Sequence, residues 1–460
     1  MSLLNMYDSK NYANDLIKQS IKDLKYDNNQ NRYKFIDKLL DYYQGDDTSK
    51  YITKYFKASA FQEIPLMSYN VTKRMIDKMS RIYTLGASRT LSGKQDEYDS
   101  LTRFKDFKMK HIEKMTKLVG TIAVQVSWKQ NGNGLHYFEY TPFYKFDVIL
   151  NPDNPLEPMG LIYPMMMPSD DSTISPDPLY CYWDSQYKII YDSNMTELER
   201  YENPYGRLPF VFFHRDHQID NFFCYPAFDI ISVNEMINIL FSEMNLGMRY
   251  QMFGQYVATG LYQDETIQRA GSDEIIVMPE GTDLNILSPQ ANVNDALKLA
   301  RGMLELVAQN NHLQISFSET NRDRPSSGIA LKIKDLERFE DYQDDLEIFA
   351  HHERSLYDLE QTIALVNGIN LPFNFGVDFN EPEYPMMVQD EIAWNTWLLD
   401  NNMTTRAKLL VKYNKDLTPV QAEQELQENE GVNGTKQEEP ERQGSIFERL
   451  RARTTETEQV

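Results

Sequence analysis

Residues 228–248 read FDIISVNEMINILFSEMNLGM, a helical segment with apolar side chains on nearly every face. A helix of this kind must be surrounded by other apolar surface. If the helix stands away from the N-terminal core, that surface belongs to other subunits. The segment therefore predicts a subunit that lays long helices against copies of itself.

The chain after this helix continues with an insert, a second helix and a third, acidic helix. The β-rich insert is expected at about 255–287 and the second helix at about 293–309. A polar loop at 320–327 precedes the last helix, which runs from about 329 to 366 and carries many carboxylates. This order of elements is typical of an oligomeric scaffold and unusual for an enzyme.

The N-terminal half, residues 1–225, is predicted to be an α+β domain with helices first and an antiparallel sheet after them. Apolar spacing predicts helices over 9–43, 65–83 and 97–119. The run NGNG at 131–134 lies between two alternating stretches and predicts a β-hairpin, because such turns need residues with positive φ. Further strands are expected around Phe146–Leu150, Leu161–Met166, Tyr180–Trp183, Tyr187–Asp192 and Pro209–Phe213.

The C-terminal part is predicted to contain short helices followed by a tail. Helices are expected at Glu391–Leu399 and Thr404–Lys412. Thr418 followed by Pro419 predicts the start of a last helix, since these residues suit the N-cap and first helical positions. Residues 431–460 are polar and charged, and we expect them to be disordered.

The charge balance limits the partners of the chain. Asp and Glu total 69 against 47 Lys and Arg, a formal net charge of -22, so a surface that grips nucleic acid everywhere is excluded. Cys181 and Cys224 are the only cysteines and indicate neither a disulfide framework nor a zinc site. No signal peptide or apolar run of about 20 residues occurs, which predicts a soluble protein made in the cytoplasm with no membrane partner.

Motifs for catalysis are absent from the sequence. It contains no phosphate-binding GxxxxGK[ST] loop, no GxSxG nucleophile motif and no HExxH zinc motif. Histidines crowd only at 214–217 and 351–353, where strand and helix geometry point neighbouring side chains apart, so structural or surface roles are expected. The carboxylates between Asp335 and Glu347 suit metal binding or acid–base work, but their density favours a solvated or channel-facing acidic surface.

A small group of basic residues lies in the loop between two predicted helices. Asn321, Arg322 and Arg324 are part of the loop between two helices, where they can touch a phosphate backbone without making the whole protein adhere to DNA. An ordinary solvated loop is an equally good interpretation of these residues alone.

Five segments, in this order along about residues 30–428, together resemble the tailed-bacteriophage portal protein family. They are LDYYQG at 40–45, NVTKRMID at 70–77, NPYGRLPFV at 203–211, SGIALK at 327–332 and the stretch from Met403 to Glu423. The last segment departs from the family pattern, because Asp416 is shifted and Thr418 occupies the capping position.

The resemblance implies a portal-like α+β fold in a ring oligomer. Its parts follow one another along the chain as the α+β wing 1–225, stem helix 226–250, β-containing clip 251–291, second stem helix 292–315, tunnel loop 316–328, long helix with the remaining wing 329–400, crown helices 401–430 and tail 431–460.

The resemblance also implies a function, which is to form the ring, typically of twelve subunits, at one capsid vertex. Viral double-stranded DNA is packaged and ejected through such a ring. The implied partners are the terminase large subunit, then head-completion, head–tail adaptor and tail proteins, with the major capsid and scaffold proteins around the ring. Asn321, Arg322 and Arg324 become DNA contacts of the tunnel loop. The expected location is the virion, after assembly in the host cytoplasm.

Two alternatives remain open. An acidic hydrolase would use a metal held by carboxylates of 335–347, but nothing in their spacing favours it. Another ring-shaped head–tail connector would normally be much shorter than 460 residues. The portal interpretation predicts no enzymatic activity, no cofactor and no resident metal.

Overall fold

The structure is a computed structural model in which most of the chain is described. The described residues are 18, 32–46, 48–57, 65–165, 179–253, 255–259, 281, 283–287, 293–313, 336–380, 388–401, 403–414 and 421–427. The chain forms two compact units, of which the larger contains 1–322 and 334–382 and the smaller 323–333 and 383–460. The mixed helix and strand content of the described residues agrees with the α+β prediction.

The helices that precede the sheets are, in chain order, α1 Arg32–Gln44, α2 Ser49–Ile52 with a 3-10 turn Thr53–Tyr55, α3 Thr72–Met79, α4 Ile82–Leu85, α5 Gln95–Thr102 and α6 Lys105–Val119. Of the helix expected over 9–43, residues 32–43 belong to α1 and residue 18 is helical, while the rest of 9–31 lies outside the described residues. The helix expected over 65–83 is wrong at both ends, because residues 65–71 are not helical and Ser80 is extended with ψ 95°. The helix expected over 97–119 is interrupted between α5 and α6.

Outside the insert, the described residues of the larger unit form three antiparallel sheets. The first pairs β1 Ala87–Leu91 with β12 Phe375–Phe379, and the sequence analysis missed both strands. The second has the order β3-β2-β9, from the strands β2 Thr121–Gln130, β3 His136–Phe143 and β9 Phe210–His214. The predicted hairpin is confirmed, since Gln130 pairs with His136 across the NGNG turn.

The third sheet has five strands in sequential order. They are β4 Asp147–Asn151, β5 Asn154–Met165, β6 Leu179–Trp183, β7 Tyr187–Tyr191 and β8 Glu197–Glu202. Four of these were predicted; β8 was missed because its residues ELERYE are all exposed and carry little apolar alternation.

The remaining elements follow the predicted order of helix, insert, helix and long helix. They are α7 Phe228–Phe253, β10 Gln255–Thr259, β11 Asp283–Leu287, α8 Val293–Asn310 and α9 Leu336–Val366. The smaller unit contains α10 Val388–Asp400, α11 Arg406–Tyr413 and a helical stretch at 421–427. Residues 260–280 of the expected insert, the cap at Thr418 and the tail 431–460 lie outside the described residues. The division into wing, stem, clip and crown stays a prediction.

The core of the larger unit joins α9 to the first helices and to β2. Its fully buried members include Tyr42, Met109, Ile122, Phe349 and Leu359. The N-terminal half of α7 packs into the same core through Ile230, Ile231 and Ile237. Since α7 begins inside this core, its orientation is fixed by the larger unit.

Candidate functional site

The helices α7 and α8 form an antiparallel pair that leaves the core of the larger unit and ends in a two-stranded ribbon. At the core end, the Asn311 Nδ2 atom donates a hydrogen bond to Asp229 Oδ2 at 2.8 Å, so the end of α8 lies beside the start of α7. At the other end, β10 and β11 pair antiparallel, with Gln255 opposite Leu287. The described part of the insert is therefore a ribbon that extends the helix pair.

The buried side of α7 differs from the apolar surface that the sequence predicted. Asn234, Asn238 and Ser242 are buried at spacings of four residues, among the apolar side chains. These three side chains accept hydrogen bonds from the backbone of the non-helical segment 65–71. The sequence predicted a helix that is apolar on nearly every face; this face is the polar exception, because the helix supplies hydrogen-bond acceptors there.

The contacts between this face and the segment follow a regular pattern. The backbone N–H of Met67 donates to Ser242 Oγ at 2.9 Å, that of Tyr69 to Asn238 Oδ1 at 2.7 Å, and that of Val71 to Asn234 Oδ1 at 2.9 Å. Four helical residues rise about 6 Å and two extended residues about 6.6 Å, so alternate N–H groups meet successive helical turns. The helix face thus takes the place of a neighbouring β-strand.

The helix α8 has apolar side chains on two faces. One face is buried within the chain through Ala300, Val307 and Ala308. On another face, Leu299 is 53% exposed and Leu306 is 63% exposed. Ala296 and Met303, both partly exposed, belong to the same face and complete the residue spacing three, four, three. We call Ala296, Leu299, Met303 and Leu306 the outer stripe of α8; its spacing is that of helices that pack side by side.

The helix α7 also exposes apolar side chains. Phe228 is 62% exposed, Met236 48% and Met248 41%. They lie at different angles round the helix, so they form no stripe like that of α8. The outer stripe of α8 is the exposed apolar surface that marks an interaction site.

The carboxylates of α9 divide into two groups, whereas the sequence predicted one acidic surface. Glu340, Asp344 and Glu347 are exposed, as expected. Asp345 instead forms an ion pair with Lys117, and Asp341 Oδ1 lies 2.5 Å from His312 Nδ1. The side chains of Asp335 and Glu337 lie outside the described residues.

Farther along α9, two carboxylates are buried in a network with two cations. Glu353 pairs with Arg89 at 2.6 Å and with Lys105 at 3.1 Å, and Glu360 pairs with Lys105 at 2.7 Å. Burial raises the pKa of Glu353, but Lys105 and Arg89 outweigh burial and hold that pKa at about 2. Both carboxylates are committed to structural cations, so they are unsuited to acid–base work.

The two histidine groups meet where the ring of His352 lies against the backbone of His214. The His352 Nε2 atom lies 3.1 Å from the backbone N of His214 and 3.2 Å from the carbonyl oxygen of His214, so it accepts from the N–H in one tautomer and donates to the carbonyl in the other. Burial lowers the pKa of His352 to about 3; burial and the charge of His351 lower that of His214 to about 4. Both rings are therefore neutral near pH 7, which agrees with the structural role expected for them. Within the described ranges, no group of three or more His, Cys, Asp and Glu residues is arranged to hold a metal ion.

Two segments that carry the family resemblance form tight structural turns. Gly45 adopts φ +79° beside Asn70, and a Cβ atom there would lie 2.8 Å from Asn70 Nδ2. Asn203 donates to the carbonyl oxygens of Asp184 and Arg207, both at 2.8 Å, and so holds the turn before β9. These residues shape the fold and touch no described site.

The predicted tunnel-loop residues Asn321, Arg322 and Arg324 lie outside the described residues. Their role stays a prediction. Sequence analysis missed the outer stripe of α8, although its three-four-three spacing is visible in residues 296–306. The buried cation network was also missed, because its members are far apart in the chain. Among the described helices, none is long and apolar enough to cross a membrane.

Comparison with known proteins gives a likeness among solved structures. No protein-family model matches the chain, and no curated protein matches it. Among solved structures, the chain is similar to a chain from the neck of an empty gene transfer agent (GTA) particle, computed with C6 symmetry. The likeness covers 77% of this chain and 92% of that chain, at 8% identity and a TM-score of 0.41. At these values the function has to be argued from the surfaces of the chain itself.

Proposed function

We propose that the chain is a portal-type subunit, which forms a ring at one capsid vertex of a tailed-phage-like particle and lets double-stranded DNA pass. The observation that carries this proposal is the outer stripe of α8, whose Leu299 and Leu306 are more than half exposed. In a ring, this stripe packs against α7 of the next subunit, where Met236 and Met248 are exposed. The sequence resemblance to portal proteins supports the same conclusion.

The two surfaces differ from each other, so a contact between them can repeat from subunit to subunit round a ring. A two-fold dimer buries the same patch on both subunits, whereas contact between two different patches repeats from subunit to subunit. If the rotation between neighbours closes, the product is a ring. The stripe on α8 and the exposed apolar side chains of α7 meet this requirement, since each subunit carries both.

The charge of the subunit suits a passage for DNA. The chain has a formal net charge of -22, and α9 exposes Glu340, Asp344 and Glu347. Like charge prevents long-lived contacts with phosphates, so DNA slides past an acidic wall. Brief contacts are assigned to Arg322 and Arg324 of the predicted tunnel loop.

The ribbon of β10 and β11 is the proposed clip. It extends the helix pair away from the core end, where Asn311 meets Asp229. In this proposal the clip docks the terminase large subunit during packaging and head-completion or tail proteins afterwards. The subunit itself has no enzymatic role, needs no cofactor and resides in the virion.

The alternative of an acidic metal-dependent hydrolase lacks support from the described part of α9. Asp345 is paired with Lys117, and Asp341 contacts His312. The remaining alternative is another ring-shaped connector of the particle neck. It shares the ring contact but not a role in packaging, so a packaging assay separates it from a portal.

Mass photometry of the purified full-length chain tests the ring. We expect large rings for the wild type and mostly monomers for the double variant Leu299→Lys with Leu306→Lys, because two lysines cannot be buried between subunits. Lys298→Ala is the matched control: this neighbour is exposed and pairs with Asp295 at 3.2 Å on its own helix. A wild-type chain that stays monomeric at every salt concentration would refute the proposal.

A further inference from the structure

The smaller unit has an aromatic surface that its own packing does not use. Trp394 and Trp397 lie one helical turn apart on α10 and stack at 5.2 Å between ring centroids, with an interplanar angle of 16°. They are 47% and 46% exposed. Half-exposed, stacked tryptophans bury a large area when a partner covers them, which is why tryptophan is enriched at the centres of interfaces.

The packing of the smaller unit uses a different face of α10. There, Asn395 Nδ2 donates to the Tyr413 hydroxyl at 2.6 Å, and that hydroxyl donates to Glu391 Oε1 at 2.6 Å. These bonds join α10 to α11. The outer face, which carries Trp394, Trp397 and the exposed Asp400, is therefore left available to a partner.

The helices α10 and α11 have opposite charge. The helix α10, VQDEIAWNTWLLD, contains three carboxylates and no base. The helix α11, RAKLLVKY, contains three bases and no carboxylate. Within one copy, Glu391 faces α11 and lies 4.0 Å from Lys412 Nζ. The exposed Asp400 beside the tryptophans and the exposed Lys408 of α11 are the charges that a second copy can pair.

We propose that the outer face of α10 docks against α11 of a second copy of this chain. Trp394 and Trp397 form the centre of this contact, and Asp400 of one copy pairs with Lys408 of the next. The contact is heterologous, since two different surfaces meet, and so it repeats around a ring. It rests on the ring proposed above and adds to it a second, independent contact between neighbours.

Charge argues against two other classes of partner. Nucleic acid and anionic membrane surfaces attract basic patches, whereas the aromatic face of α10 is flanked by Asp400 and belongs to a helix without bases. A basic helix that can also offer a cation to the indole rings fits this face better. The exposed Lys408 of α11 provides such a cation.

The first test compares full-length variants by mass photometry on dilution. Trp394→Ala with Trp397→Ala should raise the concentration at which half of the rings dissociate by about tenfold, as expected for loss of aromatic anchors. Phe373→Ala is the matched control, because this side chain is 89% exposed in the larger unit. An unchanged midpoint in the tryptophan variant would overturn the proposed contact.

A charge exchange tests the pairing and does not depend on the tryptophans. Asp400→Lys alone and Lys408→Asp alone should each weaken the ring by about threefold to tenfold, and the double variant should recover the wild-type midpoint. If rings of the double variant dissociate as readily as those of the less stable single variant, Asp400 and Lys408 do not pair. Recovery also shows that the single variants fold.

Acrylamide quenching provides a readout of burial. Tryptophan emission of wild-type rings should be less accessible to acrylamide than that of the Leu299→Lys, Leu306→Lys monomer. The difference should vanish when Trp394 and Trp397 are both phenylalanine. Equal quenching of wild-type ring and monomer would show that ring formation leaves this face uncovered and would overturn the proposed contact. Absence of wild-type rings would instead refute the proposed function itself.

Discussion

The carboxamide oxygen of Asn238 accepts a hydrogen bond from the backbone N–H of Tyr69 at 2.7 Å, which ties the middle of α7 to a segment 169 residues earlier in the chain. Asn234, one turn before Asn238, accepts from the N–H groups of Val71 and Thr72 and from the Thr72 hydroxyl. The angle at which α7 leaves the larger unit is thus set by side chains that mimic a strand edge.

Removal of these acceptors should destabilise the chain in a graded way. Asn234→Ala leaves three donors without their acceptor and should cost about 2–4 kcal/mol of unfolding free energy, whereas Ser242→Ala loses one and should cost about 1 kcal/mol. Urea unfolding measures the difference. Hydrogen exchange should accelerate at the amides of Val71 and Thr72 in the Asn234 variant. Equal stability of the two variants would contradict this account.

The buried cation network predicts a strong effect of Lys105. This side chain is 1% exposed and neutralises both Glu353 and Glu360. Lys105→Met should cost about 3–5 kcal/mol, because it leaves a buried carboxylate unpaired. Lys108→Met, which breaks the half-exposed pair with Glu139, should cost at most about 1 kcal/mol. If Lys105→Met lowers the unfolding free energy by less than about 1 kcal/mol, the network rearranges, or Glu353 or Glu360 becomes protonated, at little cost.

The neutral histidines predict a pH dependence of stability. The folded pKa values of His352 and His214, about 3 and about 4, lie below the ordinary 6.5, so protonation favours the unfolded chain. Stability should fall as pH drops from 6.5 toward 4, by about 2 kcal/mol per histidine at pH 5. His352→Gln keeps an acceptor but does not titrate, and should flatten part of this decline.

Chemical unfolding at several pH values measures the effect of His352→Gln. His136→Gln is the control, since His136 is exposed and stacks on Trp128. If the unfolding free energy falls equally steeply with decreasing pH in both variants, His352 does not contribute to the acid sensitivity.

The tunnel-loop assignment predicts a separation of assembly from packaging. Arg322→Ala with Arg324→Ala should leave the ring intact by mass photometry but reduce the yield of packaged DNA, because two phosphate contacts per subunit are lost. Arg301→Ala, an exposed change on α8, is the control. Normal packaging by the double variant would remove these arginines from the proposed DNA contacts.

Local patterns in the sequence predicted much of the fold. The NGNG turn, four strands of the five-stranded sheet and the order of α7, the insert and α8 depend on neighbouring residues, and all agree with the structure. The strands β1 and β12 were missed because their partners are nearly 290 positions apart, with Ala87 opposite Phe379. Nothing in either stretch alone shows that the other exists.

The candidate site was predictable only in part. The apolar composition of α7 indicated a surface that needs a partner, but Asn234, Asn238 and Ser242 were not distinguished as the face that binds residues 65–71. Their hydrogen bonds depend on a segment that periodicity assigned to a helix. The DNA-contacting role of Asn321, Arg322 and Arg324 stays a prediction.

The two apolar faces of α8 also impose a time limit on the newly made chain. In the assembly proposed above, Leu299 and Leu306 are exposed from the moment the subunit folds until a neighbouring subunit covers them. During that interval, assembly into the ring competes with non-specific aggregation, and both become faster as the subunit concentration rises. A chain of this design therefore benefits from synthesis close to a nucleus on which assembly can start.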